Sequence, residues 1–156
     1  MDRFNEEIYG KVLWECYRSK VYIVTLSLMY VLLGAAAVIW AMYNDQFLFY
    51  VLAVVVIFFC LWRINRVHHP VALICEKKLL VAVPWSFFTF DYYITFRALY
   101  MPVAYKDVAG VSSRWNHLYI GGREEGGLVS LPVQLAYVSR DGKYDFQNWV
   151  ESKQCE

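Results

Sequence analysis

The chain lacks every short signature that would announce a common catalytic site. Its 156 residues hold no GxSxG elbow, no HExxH, no CxxC pair, no phosphate-cradling loop and no dinucleotide fingerprint. It also lacks a surplus of either charge: 15 Lys and Arg against 14 Asp and Glu leave a formal net charge of +1. Nucleic-acid binding, which needs a dense basic stripe, is therefore not expected. Cys16, Cys60, Cys75 and Cys155 are widely scattered, and three of them are expected to face a reducing compartment, so disulfides are not expected either. Nor is a cleavable signal peptide visible, because Asp2, Glu6, Glu7 and Glu15 come before an apolar stretch that begins late.

Charge is also missing from whole stretches of the chain, and there the absence becomes a positive signal. Residues 21–42 carry no charged side chain, and at 1.5 Å per residue these 22 or so positions match the roughly 30 Å hydrocarbon thickness of a bilayer. A second apolar run, 47–62, is shorter and reaches spanning length only if it continues to Ile64 with Arg63 snorkelling to the headgroups. The short polar turn Tyr43-Asn44-Asp45-Gln46 joins them, so a hairpin of two antiparallel spans, 21–42 and 47–64, is the economical reading. The competing reading is a buried helical hairpin in a soluble protein. It requires a chain this small to hide two helices that are apolar on every face.

Arg18 and Lys20 precede the first span, Arg63 and Arg66 follow the second, and the turn has Asp45 and no cation. The positive-inside rule then puts both termini in the cytoplasm. A composition of 59% hydrophobic residues agrees with an integral membrane protein.

Ahead of the hairpin, Phe4, Ile8, Val12 and Cys16 recur at steps of four, with Leu13 and Tyr17 widening the stripe. Residues 1–20 are thus expected to form a cytoplasmic amphipathic juxtamembrane helix, weakened at Gly10. Behind it, 65–70 reads as a linker. From Val71 the texture turns to β, with VALICE, LLVAV, SFFTF and YYITFRAL rich in β-branched and aromatic residues. Further strands are expected over 105–111, 115–120 and 128–131, the last two joined by the loop GGREEGG at 121–127. Phe146, Trp149 and Val150 then fall on one face of a C-terminal helix spanning 143–153.

Three features meet here: the hairpin, the stretch Met101-Pro102-Val103-Ala104-Tyr105-Lys106-Asp107-Val108, and Ser130-Leu131-Pro132 leading to the helix around 144–150. In these the chain resembles bacterial PH-like membrane proteins of the YcxB-like kind over about residues 20–153. The resemblance implies an α+β fold in which a two-helix transmembrane hairpin (21–64) is followed by a cytoplasmic PH-like domain (65–156). That domain is an antiparallel split β-barrel capped by the C-terminal helix. Such a fold usually serves as a binding platform in the inner membrane.

The candidate chemistry is thin. His68 and His69 would point to opposite faces of an extended segment, so they are poor joint ligands, even with Cys75 and Glu76 nearby in sequence. His117 stands alone in its strand. Glu124 and Glu125 sit at a loop tip, where high dielectric favours a solvated pair over a general acid. With Arg123 they are instead candidates for contacting a protein partner, joined by the aromatic Trp115 and Tyr119. Lys77 and Lys78, between the first two strands after the hairpin, are the candidates for lipid-headgroup contact. The aromatic load Trp85, Phe87, Phe88, Phe90, Tyr92, Tyr93, Phe96 and Tyr100 exceeds what one face of a small sheet needs, so a surface is expected to carry part of it.

These readings lead to a non-enzymatic inner-membrane protein with no cofactor or metal. It is expected to bind a protein partner, and its specific form is an immunity protein that neutralises a secreted antibacterial toxin. The alternative is a lipid-interacting or envelope-homeostasis module acting through the PH-like domain.

Overall fold

The computed structural model describes residues 4–82, 99–121 and 127–155. The chain divides into two compact units, one formed by Met1–Ser19 with Pro70–Glu156, the other by Lys20–His69.

The second unit is a helical hairpin of α2 (Lys20–Asn44) and α3 (Phe47–His68). Both helices are long and apolar enough to cross a membrane. At about 1.5 Å per residue, the 22 residues of α3 reach about 33 Å. The expected linker at 65–70 is thus mostly helix, and the second span is not short. His68 lies on that helix, with Nδ1 2.8 Å from the Ile64 carbonyl, and not on an extended strand. Asp45 takes a left-handed φ of 44° in the turn, where Asn44 Nδ2 donates to the Trp40 carbonyl at 2.8 Å. Large apolar side chains are exposed all round, Val21, Leu32, Ile39, Leu48 and Val54 among them. A soluble core helix buries most of its surface, and these do not.

Arg63 is tied to the other helix: Nε donates to the Tyr30 hydroxyl of α2 at 2.9 Å and the cation lies 5.6 Å from the Tyr30 ring centroid. The two helices therefore share a polar tie beside the edge-on Tyr30–Phe59 and Trp40–Phe49 pairs.

The first unit holds two antiparallel sheets. Strands β1 (Val12–Cys16), β2 (Ala72–Cys75), β3 (Leu79–Ala82) and β4 (Tyr100–Val103) form one meander, and β5 (Val108–Val111), β6 (His117–Gly121) and β7 (Leu128–Pro132) form the other. Helix α4 (Arg140–Gln154) follows, with the Ser139 hydroxyl accepting from the Gly142 amide at 3.2 Å as its N-cap. Four strands, three strands and a terminal helix make the α+β class. Among the described residues no ladder joins the two sheets into a closed barrel.

The N-terminal segment differs most from expectation. A single turn of helix, α1 (Glu6–Tyr9), ends at Gly10, and β1 begins two residues later in place of a continuous amphipathic helix. Gly10 has φ +78°, and a Cβ there would fall 2.7 Å from Glu76 Oε2, so only glycine fits the break. A step of four is a multiple of the strand period as well as close to the helical one, and burial alternates along β1, with Val12, Trp14 and Cys16 the more buried. Cys16 pairs with Ala72 across the ladder, and the Val71 amide donates to the Cys16 carbonyl at 2.6 Å. The whole helical hairpin is therefore the connection between two neighbouring, paired strands.

In β2 and β3 all but the last residue are buried, so these two central strands are covered on both faces. Ala72, Ile74, Leu79 and Val81 face a core completed by Leu118, Leu131, Phe146 and Val150 from the second sheet and α4. Leu73, Cys75 and Leu80 face the other way, with Tyr9 and Tyr100. Residues 105–111 form a 3-10 turn (Tyr105–Asp107) followed by β5, not one strand, and the buried Tyr105 hydroxyl donates to the Cys75 carbonyl at 2.5 Å. The expected strands SFFTF and YYITFRAL lie outside the described residues except at Leu99.

Candidate functional site: a groove between an edge strand and the terminal helix

Strand β5 has β6 on one side and, among the described residues, no strand on the other. Along that outer edge runs a groove of about 390 Å³. It is bordered by every residue from 108 to 113. Alternate side chains of a strand point to opposite faces, so a cavity touching all four residues of β5 follows the strand's edge. The opposite wall is one face of α4, contributed by Phe146, Gln147, Val150, Glu151 and Gln154 at helical spacing. Phe146 and Val150 belong to the core and give the groove an apolar floor, and Trp115 closes its turn end.

Two local features shape the strand side. Register shifts between Val108 and Gly110, and Gly110 has φ +152° with nothing within 4 Å of where a Cβ would stand. A glycine at a bulge beside open space leaves the main chain approachable. The turn that follows is held by Ser112, whose hydroxyl donates to Asn116 Oδ1 at 2.9 Å and accepts from the amides of Asn116 and His117. Trp115 lies inside that turn with φ 59°, not on the strand expected from 115, and the Lys143 ammonium sits 5.8 Å from its ring centroid. At the far end Gln154 bridges helix and strand, its Nε2 donating to the carbonyls of Tyr105 at 3.0 Å and Val108 at 2.7 Å. Glu151, whose Oε1 accepts from Gln147 Nε2 at 2.9 Å, is the one ionisable side chain lining the described groove.

Of the candidates from the sequence, Trp115 lines this groove. Tyr119 does not. It points away from Leu118 and Ile120, which join the core, and is exposed on the outer side of β6. Arg123, Glu124 and Glu125 lie outside the described residues; the strands that flank them pair in register, Gly121 with Leu128 and Ile120 with Val129. Lys77 and Lys78 occupy the β2–β3 turn as expected, but the Lys77 ammonium donates to the main-chain carbonyl of Glu7 at 3.4 Å and its amide to that of Tyr9. The turn is thereby tied to α1. Gln147, Glu151 and Gln154 were not singled out from the sequence. Their signal is a polar row at i, i+4 and i+7 beside the apolar Phe146 and Val150.

His68 and His69 fall in the helical unit, Cys75 and Glu76 in the β unit. Among the described residues no three His, Cys, Asp or Glu side chains gather as a metal set would. Burial pushes the Cys16 thiol up to about 12 and the Cys75 thiol up to about 11, which keeps both protonated and unreactive at neutral pH. The Tyr17 phenol rises to about 12 because it donates a hydrogen bond to the Glu15 carboxylate.

No family model, curated protein or solved structure matches the chain.

Proposed function

We propose that the chain is a non-catalytic, membrane-anchored binding protein whose β unit holds a protein partner in the groove between β5 and α4. One observation carries the reading: an edge strand with no strand on its outer side among the described residues lies along a groove that has an apolar floor and a polar rim. That combination binds chains better than it does chemistry. The polar rim offers no base beside a nucleophile, since Ser112 is engaged with Asn116, Gln154 with main-chain carbonyls and Gln147 with Glu151.

The two apolar helices serve as a membrane anchor in this reading. Because β1 and β2 pair directly on either side of the hairpin, a crossing hairpin has both ends on one face, and the cationic Arg18, Lys20 and Arg66 make that face the cytoplasmic side of a bacterial inner membrane. The β unit, with its four strands, three strands and terminal helix, is read here as a PH-like platform. The narrower role, immunity against a secreted antibacterial toxin, fits a small anchored protein whose cytoplasmic unit meets its partner beside the bilayer. Lipid-headgroup recognition through Lys77 and Lys78 has less behind it, because Lys77 already donates to Glu7.

Topology and partner are tested separately. In intact cells a membrane-impermeant maleimide should label an Asn44→Cys variant and leave the exposed Cys155 untouched until the membrane is opened; the reverse pattern overturns the orientation. For the partner, the full chain is purified from native membranes and whatever accompanies it is remade pure and mixed with it. A stoichiometric complex weakened at least tenfold by Trp115→Ala supports the reading, and failure of every purified candidate to associate overturns it.

A further inference from the structure

The groove's geometry specifies what kind of chain fits it. We propose that it takes an extended segment of a partner protein, added along the outer edge of β5 as a fourth strand, with an apolar side chain on Phe146 and Val150 and a lysine or arginine toward Glu151. The inference rests on the protein-binding reading above and gives that partner a conformation and a composition.

Three observations converge. The first is the edge itself: the groove is bordered by all four residues of β5, about 13 Å of strand, and by Ser112 and Ser113 of the turn that continues it. The second is Gln154. Its carboxamide N–H bonds to the Val108 carbonyl at 2.7 Å from the helix side, so a main-chain acceptor of β5 is already reached by an amide donor from outside the sheet. A partner's backbone N–H offers the same group to the same edge. The third is Gly110, which puts no side chain over its part of the strand and has no described atom within 4 Å of where one would stand, so a ligand's side chain has room on that face.

Side-chain selectivity follows from the walls. An added strand directs alternate residues toward α4, where the apolar floor favours aliphatic or aromatic groups. The rim's carboxylate, Glu151, is exposed on α4 and positioned to meet a cation on the same face. A helical ligand would leave the edge amides and carbonyls of β5 without partners, and a phosphorylated or acidic one would meet Glu151 with like charge.

The test uses the full chain in lipid nanodiscs and a phage-displayed library of random twelve-residue peptides, with empty nanodiscs removing lipid binders. The selected peptides should alternate apolar and polar residues and carry a lysine or arginine. Methylating their backbone nitrogens one at a time should weaken binding at least tenfold at every second position within a run of about six and leave the positions between within about threefold. Glu151→Lys, an exposed change that leaves the core intact, should weaken the basic peptides at least tenfold and improve versions with the cation changed to glutamate. Helical consensus peptides, sensitivity without a period of two, indifference to Glu151→Lys, or no selected peptide at all each overturn strand addition. A purified partner that binds the full chain regardless of Glu151→Lys and without competition from the peptides overturns this inference while leaving the protein-binding reading in place.

Discussion

The two sheets of the β unit differ in what surrounds them. The central strands β2 and β3 of the four-stranded sheet are buried on both faces: Ile74 and Leu79 are sealed against one cluster, and Cys75 and Leu80 against another, all at 0% exposure. The three-stranded sheet has one dry face. Its other face exposes Tyr119 and its cross-strand partner Ser130, and its first strand runs along the groove with no strand beyond it among the described residues. The central strands β2 and β3 of the first sheet, paired on both sides, serve as the scaffold, and β2 pairs with β1 across the connection made by the helical hairpin. A sheet with one face exposed and a groove along its first strand is where a partner can be held.

Breaking the scaffold should cost most. Leu80→Ala removes a fully buried side chain from the second cluster and should destabilise the β unit by about 3 kcal/mol, read from denaturant unfolding followed by tryptophan fluorescence. A loss below about 1 kcal/mol would mean that this face is not sealed. Gly10→Ala should cost about 2 kcal/mol, since the left-handed backbone at +78° disfavours a side chain and Glu76 must move to admit it. Unchanged stability there would place the break between α1 and β1 elsewhere.

Alkaline pH tests the same sheet through Cys16. Its folded thiol titrates near 12 against an ordinary 9.0, so the folded state keeps a proton that the unfolded state gives up. That stabilisation is complete below pH 9 and disappears as pH rises from 9 to 12. Unfolding midpoints should fall over that window and fall less in Cys16→Ala, and identical profiles would contradict the assignment. The smallest effect is expected on the open face of the second sheet, where Ser130→Thr should change stability by less than about 0.5 kcal/mol.

How far the sequence led can be traced residue by residue. The helical hairpin was legible because a bilayer-length run without charge has few alternative explanations. The Lys77-Lys78 turn was legible because two apolar runs flank it. Strand β1 was not, since Phe4, Ile8, Val12 and Cys16 satisfy both periods and only pairing with Ala72, 56 positions away in the chain, decides between them. The double burial of β2 and β3 was written in the unbroken apolar runs ALIC and LLVA, which never alternate with polar residues as a one-faced strand does. Of the groove, Trp115 could be picked out as an aromatic candidate. Gln147, Glu151 and Gln154 could not be joined to Gly110, because nothing local links a helix face to a strand edge about 40 residues earlier. Tyr119, chosen for the same reason as Trp115, sits on the other side of its sheet, since one step along a strand reverses the direction of a side chain.

Amide hydrogen exchange on the full chain in nanodiscs, with and without a selected basic peptide, tests the central claim most directly. New protection is expected only over residues 109–113, along β5 and the turn after it, and in α4 around Glu151, with β1–β4 unchanged. Protection appearing on the four-stranded sheet, or none at β5 under saturating peptide, would contradict it.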